Sequence, residues 1–268
     1  MKIIGADTDS CFIELENANI FTIKEKSFEL ENIINNSFDE FVKEFGLKKH
    51  CFHIKLEKIC KSILFVPKKG KEGVAKKRYA YIPLWQDGKS GTDIVYSGFQ
   101  NKRCDNSKLA KKVQKFIIKQ ILEDNKTNVL PIVKMIEAGI KENCFDNNEI
   151  GIPGGYSRKI DEYKSVPISV RSAENSNKLF GTNFSKGDRF FWCYVTSEIY
   201  PENVIAFEKD IPTGFSLDTD EMIRRTLSGP LETIFEAIGL KWSDYFIKIK
   251  KKVKIKEKTQ CLLKEYGK

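Results

Sequence analysis

Four polar residues set between two short apolar runs offer the first chemistry in this sequence: Asp7-Thr8-Asp9-Ser10, preceded by KIIGA and followed by CFIEL. Two carboxylates two residues apart at a hairpin tip can face one ion. Hard oxygen donors that leave coordination positions open suit Mg²⁺ held jointly with substrate phosphates. The same four residues would equally make an Asp-rich turn whose side chains cap backbone amides. A second group, Lys76-Lys77-Arg78-Tyr79, joins three cations to an aromatic ring, a combination suited to a polyanion. His50, Cys51, His53 and Cys60 lie close enough to suggest zinc, but the sequence lacks a CxxC pair and zinc is not expected.

These groups need elements to hold them. Residues 2–6 and 11–15 read as the two strands of a hairpin, which puts both acids at its tip. Over residues 32–45 the apolar positions Ile33, Ile34, Phe38, Phe41, Val42 and Phe45 have helical spacing. Residues 53–66 read as a strand pair and residues 76–83 as a further strand after a Lys/Gly turn. Ser107 is an apt N-cap for a helix over 107–123, and a second helix is expected over 129–143. Gly151-Ile-Pro-Gly-Gly155 breaks that pattern, the aromatic run RFFWCYV at 189–195 reads as a buried strand, and a helix closes the series over 218–238.

The chain has 268 residues, 41% hydrophobic and 31% charged, which suffices for one large domain or two small ones and excludes a disulfide-stapled miniprotein. No uncharged apolar run approaches the ~18 residues of a membrane span. The first residues lack the apolar core of a signal peptide, so seven cysteines imply free thiols in a reducing compartment, with the cytoplasm as the expected location. The net charge of +9 is unevenly placed: it gathers at Lys68 to Arg78, within residues 102–119 and within residues 248–258. Such clusters suit nucleic acid or simply a solvated face; composition alone favours neither.

Taken in order, IIGADTDSCFI, KKRY and GFQNKRCDNSKLAKKVQKFIIKQIL resemble motif C, the KKxY motif and the segment leading into the thumb of the family B (α-like) DNA polymerases, the archaeal ones above all. Residues 156–164, YSRKIDEYK, and 186–194, KGDRFFWCY, are similar to the family's thumb, so the resemblance covers nearly the whole chain. It implies an α+β fold: the last part of a palm, an antiparallel hairpin with a helix, over residues 1–85, then a mainly helical thumb over 86–268. It assigns the principal metal ligand to Asp9, with Asp7 a supporting carboxylate, and puts Glu57 where the family has an acidic side chain near the metals. Lys77 and Tyr79 become contacts to the primer end, because minor-groove N3 and O2 acceptors occur in every base pair. Lys76 and Arg78 would face phosphates or solvent. Arg103, Lys111, Lys112 and Lys115 around the thumb helix, with Arg158, Lys159 and Lys164, could follow duplex phosphates. Where the family often has Tyr-Gly before the first Asp, this chain has Gly5-Ala6, a change beneath the hairpin that leaves the ligands in place.

The resemblance also implies a partner. A two-metal site sets its Mg²⁺ ions about 3.5–4 Å apart, one activating the primer 3′-hydroxyl and the other holding the nucleotide's phosphates, and one hairpin cannot hold both. The exonuclease, the fingers and the other metal-binding palm Asp have no counterpart here, since Met1 stands six residues before Asp7. A split polymerase, a gene broken near motif C or a cloned piece would each give such a chain. The reading preferred is the small subunit of a split enzyme that works on primer-template DNA and deoxynucleoside triphosphates with a larger chain. A sequence-independent DNA-binding module, or a subunit that only completes a partner's fold, is the alternative. In the tail, Gln260, Leu263 and Tyr266 resemble a sliding-clamp-binding peptide, with Gly267 where a second aromatic is common; a terminal turn packed on the thumb explains the same residues.

Overall fold

Asp7 pairs across the hairpin with Ser10, and Ala6 with Cys11, so β1 (Lys2–Asp7) and β2 (Ser10–Glu14) form the antiparallel ribbon that the two short apolar runs led us to expect. A computed structural model of the chain describes residues 2–7, 10–15, 19–68, 73–91, 93–99 and 104–245. It divides into two compact units, one of residues 1–63 with 80–97 and one of residues 64–79 with 98–268. Among the described residues no helix is long and apolar enough to cross a membrane.

In the first unit the helix α1 spans Ile20–Lys43, starting well before the residue 32 that apolar spacing alone suggested. Asn19 sets the start, its side-chain oxygen accepting from the Thr22 amide at 2.9 Å. Only Ser27 and Val42 of α1 are buried. The strand pair expected over residues 53–66 is instead one strand, β3 (Lys58–Pro67), preceded by an irregular extended segment. The reason is visible in the polar groups. Asn35 donates to the Ile54 carbonyl at 3.0 Å and accepts from the Ile54 amide at 2.8 Å, and Glu31 accepts from the Leu56 amide at 2.8 Å. Side chains of α1 thus satisfy backbone groups that a ladder would otherwise take.

β3 joins β4 (Val74–Gln86), β5 (Lys89–Ser90) and β6 (Val95–Ser97) in a four-stranded sheet, in the order β3-β4-β5 with β6 also against β4. β4 outruns the 76–83 expected. At its far end Asp87 and Gly88, at φ 45° and 85°, form the two-residue turn that pairs Trp85 with Ser90. Positive φ at both positions is what an Asp-Gly hairpin turn requires.

The second unit holds α2 (Lys108–Leu122), α3 (Val129–Lys141), the short α4 (Asn147–Ile150) and α5 (Ile168–Phe180). It also holds a four-stranded sheet, of which the sequence had suggested only the aromatic strand. β8 (Arg189–Thr196) lies at its centre and pairs antiparallel with β7 (Ile152–Gly155), β9 (Val204–Phe207) and β10 (Ser216–Leu217). The breaker Gly151-Ile-Pro-Gly-Gly155 is therefore largely β7. Gly154 is required there, since a Cβ would sit 2.8 Å from both Phe190 and Trp192. α5 packs on this sheet through the fully buried Ser176, whose hydroxyl donates to the Ala206 carbonyl at 2.8 Å and accepts from the Ala206 amide at 2.9 Å. The closing helix is α6 (Thr219–Ile223), capped by Asp218, a π-helical turn over Arg224–Ser228, and α7 (Gly229–Ala237). Gln114 of α2, fully buried, donates to the Pro230 carbonyl at 2.8 Å.

Ser107 caps α2 as expected: its buried hydroxyl oxygen accepts from the Ala110 amide at 3.1 Å. Ser107→Ala leaves that buried donor unmatched and is expected to cost about 1 kcal/mol in urea unfolding followed by circular dichroism, with Ser107→Thr recovering most of it.

Candidate nucleic-acid interface and acidic hairpin

β1 and β2 bring Asp7 and Ser10 to the closed end of the hairpin. Thr8, Asp9 and the Asp7 side chain lie outside the described residues. The described residues contain no group of three or more His, Cys, Asp or Glu side chains placed to hold a metal. What fits Mg²⁺ here is the donor chemistry, two carboxylates two residues apart in the sequence; a pair of ions needs further carboxylates from elsewhere.

Glu57 stands one residue before β3 rather than within the strand. Its carbonyl accepts from the Asp87 amide at 3.1 Å, and its exposed carboxylate is 3.6 Å from the Lys58 ammonium, which also lies over the Tyr81 ring. The His50, Cys51, His53 and Cys60 group does not assemble as a metal site. The His50 Nε2 faces Asp39 at 3.1 Å while its Nδ1 accepts from the Phe52 amide at 3.0 Å, and burial pushes the Cys60 thiol up to about 11.

Lys76, Lys77, Arg78 and Tyr79 all lie on β4, the first two exposed and the last two half-buried. Lys77 has φ 56°, left-handed backbone inside a strand and unusual for a residue with a long side chain. It breaks the in-out alternation, so that two successive lysines face outward. Tyr79 packs against Phe65 with ring centroids 6.0 Å apart. Arg78 is half-buried, and its guanidinium carbon lies 5.5 Å from the centroid of Phe99, which is itself 2% exposed. The Gly98-Phe99 segment was legible only as part of a motif; its contact with β4 was not.

On α2, Lys111 is half-buried and Lys115 exposed, while Lys112 is engaged by Glu149 at 2.9 Å and is less available to phosphate than the spacing suggested. Arg103 lies outside the described residues. Arg158, Lys159 and Lys164 are all exposed on the loop after β7. A residue that sequence reasoning passed over holds this loop. The Tyr163 phenol oxygen accepts from the Ser157 amide at 3.3 Å and the Arg158 amide at 3.1 Å and lies 3.0 Å from the Ser157 hydroxyl. Those hydrogen bonds, the Ser157 hydroxyl's first, lower the phenol pKa. Tyr156 anchors the other end through a hydrogen bond to Glu174. The two tyrosines bracketing SRKIDE are the signal that could have shown it. Phe190, Trp192 and Tyr194 are buried on β8, as the aromatic run led us to expect. Gln260, Leu263 and Tyr266 lie outside the described residues.

Comparison with known proteins bears on the whole arrangement. The model of DNA polymerase family B matches residues 1–253. A DNA polymerase of Archaeoglobus fulgidus is 28% identical over 179 residues, which is 66% of this chain and 19% of that protein. A DNA polymerase of Thermococcus kodakarensis is 24% identical over 249 residues, 91% of this chain and 13% of its own length. The chain thus spans less than a fifth of either relative. With the acidic hairpin and the basic strand following one another inside a match of this extent, the chain belongs to family B of the DNA polymerases.

Proposed function

We propose that this chain supplies the motif C hairpin, the primer-end contacts and the thumb of a template-directed DNA polymerase, and that it works as the small subunit beside a larger chain carrying the exonuclease, the fingers and the rest of the palm. The observation that carries this reading is the order of DTDS, KKRY and the segment entering α2 within a family match over residues 1–253. Two features of the first unit support a partner. Among the described residues β1 and β2 make a sheet of two strands only, a marginal structure in isolation, and Phe21, Ile33 and Phe41 on α1, with Phe45 just after it, are exposed.

In this reading Asp9, with Asp7 beside it, holds Mg²⁺ together with carboxylates of the larger chain. The ion, when bound, supplies charge stabilisation to the transferring phosphoryl group and acidity to the primer hydroxyl. The chain's own residues grip and orient. Lys77 donates to minor-groove acceptors at the primer end, with Tyr79 beside it on β4, while Lys76, Lys111, Lys115, Arg158, Lys159 and Lys164 neutralise duplex phosphates. Primer extension by this chain, by the larger chain and by their mixture tests the proposal: only the mixture is expected to extend, and a mixture without activity would remove it.

Lys77→Ala and Tyr79→Ala are each expected to weaken primer-template binding by roughly tenfold, to the same degree on primer ends of different sequence. The affinity of the unaltered complex should fall steeply between 50 and 200 mM salt. Fluorescence anisotropy on primer ends of all four bases checks this, and a loss confined to one base would contradict the role given to the pair.

A further inference from the structure

Three observations meet at one point of the second unit. Lys77 holds a left-handed φ of 56°, a conformation that costs a non-glycine residue about 1 kcal/mol and persists only where its surroundings impose it. Gly98, at φ 67°, is seated directly on the peptide that follows: a Cβ there would lie 2.5 Å from the Lys77 carbonyl oxygen and 3.3 Å from the Arg78 Cα. The Arg78 guanidinium carbon lies 5.5 Å from the centroid of the buried Phe99 ring, and its Nε is buried without a hydrogen-bond partner. Burial also lowers the guanidinium pKa. An arginine whose only task was to meet phosphate would keep Nε in solvent or in a fork with an acceptor. This one has given up hydration to stack on a ring contributed by the residue after Gly98.

We infer that Arg78 is a positioning residue: stacked on Phe99, it fastens the Gly98-Phe99 segment to β4 and so holds Lys77 in the left-handed conformation that aims its ammonium at the primer end. The inference rests on the reading of Lys77 as a primer-end contact. Its consequence is mechanical. Residue 99 lies eight residues before the Ser107 cap of α2, so the clasp ties the lysine that grips the primer to the chain entering the first thumb helix. Phe99 must be large and flat to present a face to the guanidinium, and Gly98 must lack a side chain to come within reach of the Lys77 carbonyl.

Two measurements separate this role from a direct phosphate contact. In the isolated full chain, backbone couplings of selectively labelled lysine report the sign of φ at Lys77. It is expected to be positive in the unaltered chain and to turn negative in Arg78→Met and in Phe99→Leu; a Lys77 that keeps positive φ in both overturns the inference, whatever the chain's activity. In the complex with the larger chain, a double-mutant cycle on primer-template affinity is the second. Arg78→Met should weaken binding about fivefold in the unaltered background and less than twofold beside Lys77→Ala. Arg78→Lys should be no better than Arg78→Met, because an ammonium has no plane to stack. Equal losses in both backgrounds, with rescue by Arg78→Lys and a shallower salt dependence, would mark a phosphate contact and overturn the positioning role. A complex that shows no preference for primer ends even when unaltered would refute the reading of Lys77, while the φ measurement still decides whether the clasp exists.

Discussion

Asp9→Ala in the assembled polymerase is expected to lower the rate of nucleotide addition about a thousandfold or more while primer-template affinity changes less than threefold. A carboxylate that holds a metal acts mainly on charge developing at the transferring phosphoryl group, and interactions aimed at a transition state are lost from the rate rather than from substrate binding. Asp9→Asn should fall nearly as far, because an amide keeps the shape and loses the charge that competes for a divalent cation. Asp7→Ala should fall less, as suits a supporting carboxylate. Single-turnover incorporation, measured beside anisotropy on the same duplex, reads both quantities. A complex that retains its rate without the Asp9 carboxylate would leave the hairpin as an ordinary Asp turn and favour the non-catalytic DNA-binding alternative.

What the sequence made legible follows from how local each cause is. The hairpin of β1 and β2, the Ser107 cap and the aromatic strand β8 are set by apolar runs flanking a polar tetrad, one capping side chain and aromatic density, and all three stand where the pattern put them. The start of α1 was missed because its first turns carry charged residues among scattered apolar ones, and only the Asn19 cap marks the boundary. The misread segment before β3 shows another limit. Its backbone is satisfied by Asn35 and Glu31, 19 and 25 residues away in sequence, and no local rule announces such partners. The Asp87-Gly88 turn, by contrast, was in plain view as an Asp-Gly pair and was overlooked.

The candidate site divides along the same line. Residue types and order pointed to Asp7, Asp9 and KKRY, but the contact of Arg78 with Phe99, 21 residues on, and the positive φ at Lys77 are favoured by no local propensity. Lys112 read as a phosphate contact, and its ammonium lies 2.9 Å from Glu149, a partner 37 residues away that no local pattern announces. Charge patterns name candidates; which of them are free to meet a ligand is decided by partners distant in the chain.

The second large effect concerns association. The isolated chain is expected to give no template-directed extension, and mixing with the larger chain should restore it through a stable complex. The physical case lies in the first unit. A two-stranded ribbon with Ile3 67% exposed has an edge that another strand can extend. On α1, Phe21 is 78% and Phe41 48% exposed, and Phe45, Leu47 and Phe52 lie exposed in the segment that follows. A helix with only Ser27 and Val42 buried gains little from packing within its own unit, and such an apolar face is more stable covered. In the proposed reading its occupant is the larger chain, which would also bring further carboxylates to the hairpin. An interface of this kind should bury more than about 2,000 Å² and survive dilution to nanomolar concentration. Phe41→Asp with Phe45→Asp places two charges at the expected contact and should weaken association at least a hundredfold, whereas Lys159→Ala, on an exposed loop of the second unit, should leave it unchanged. Analytical ultracentrifugation of each mixture, paired with primer extension, checks both halves. Robust extension by the highly purified single chain, or failure of the two chains to associate at micromolar concentration, would overturn the subunit reading and leave the exposed face of α1 to be explained by another partner.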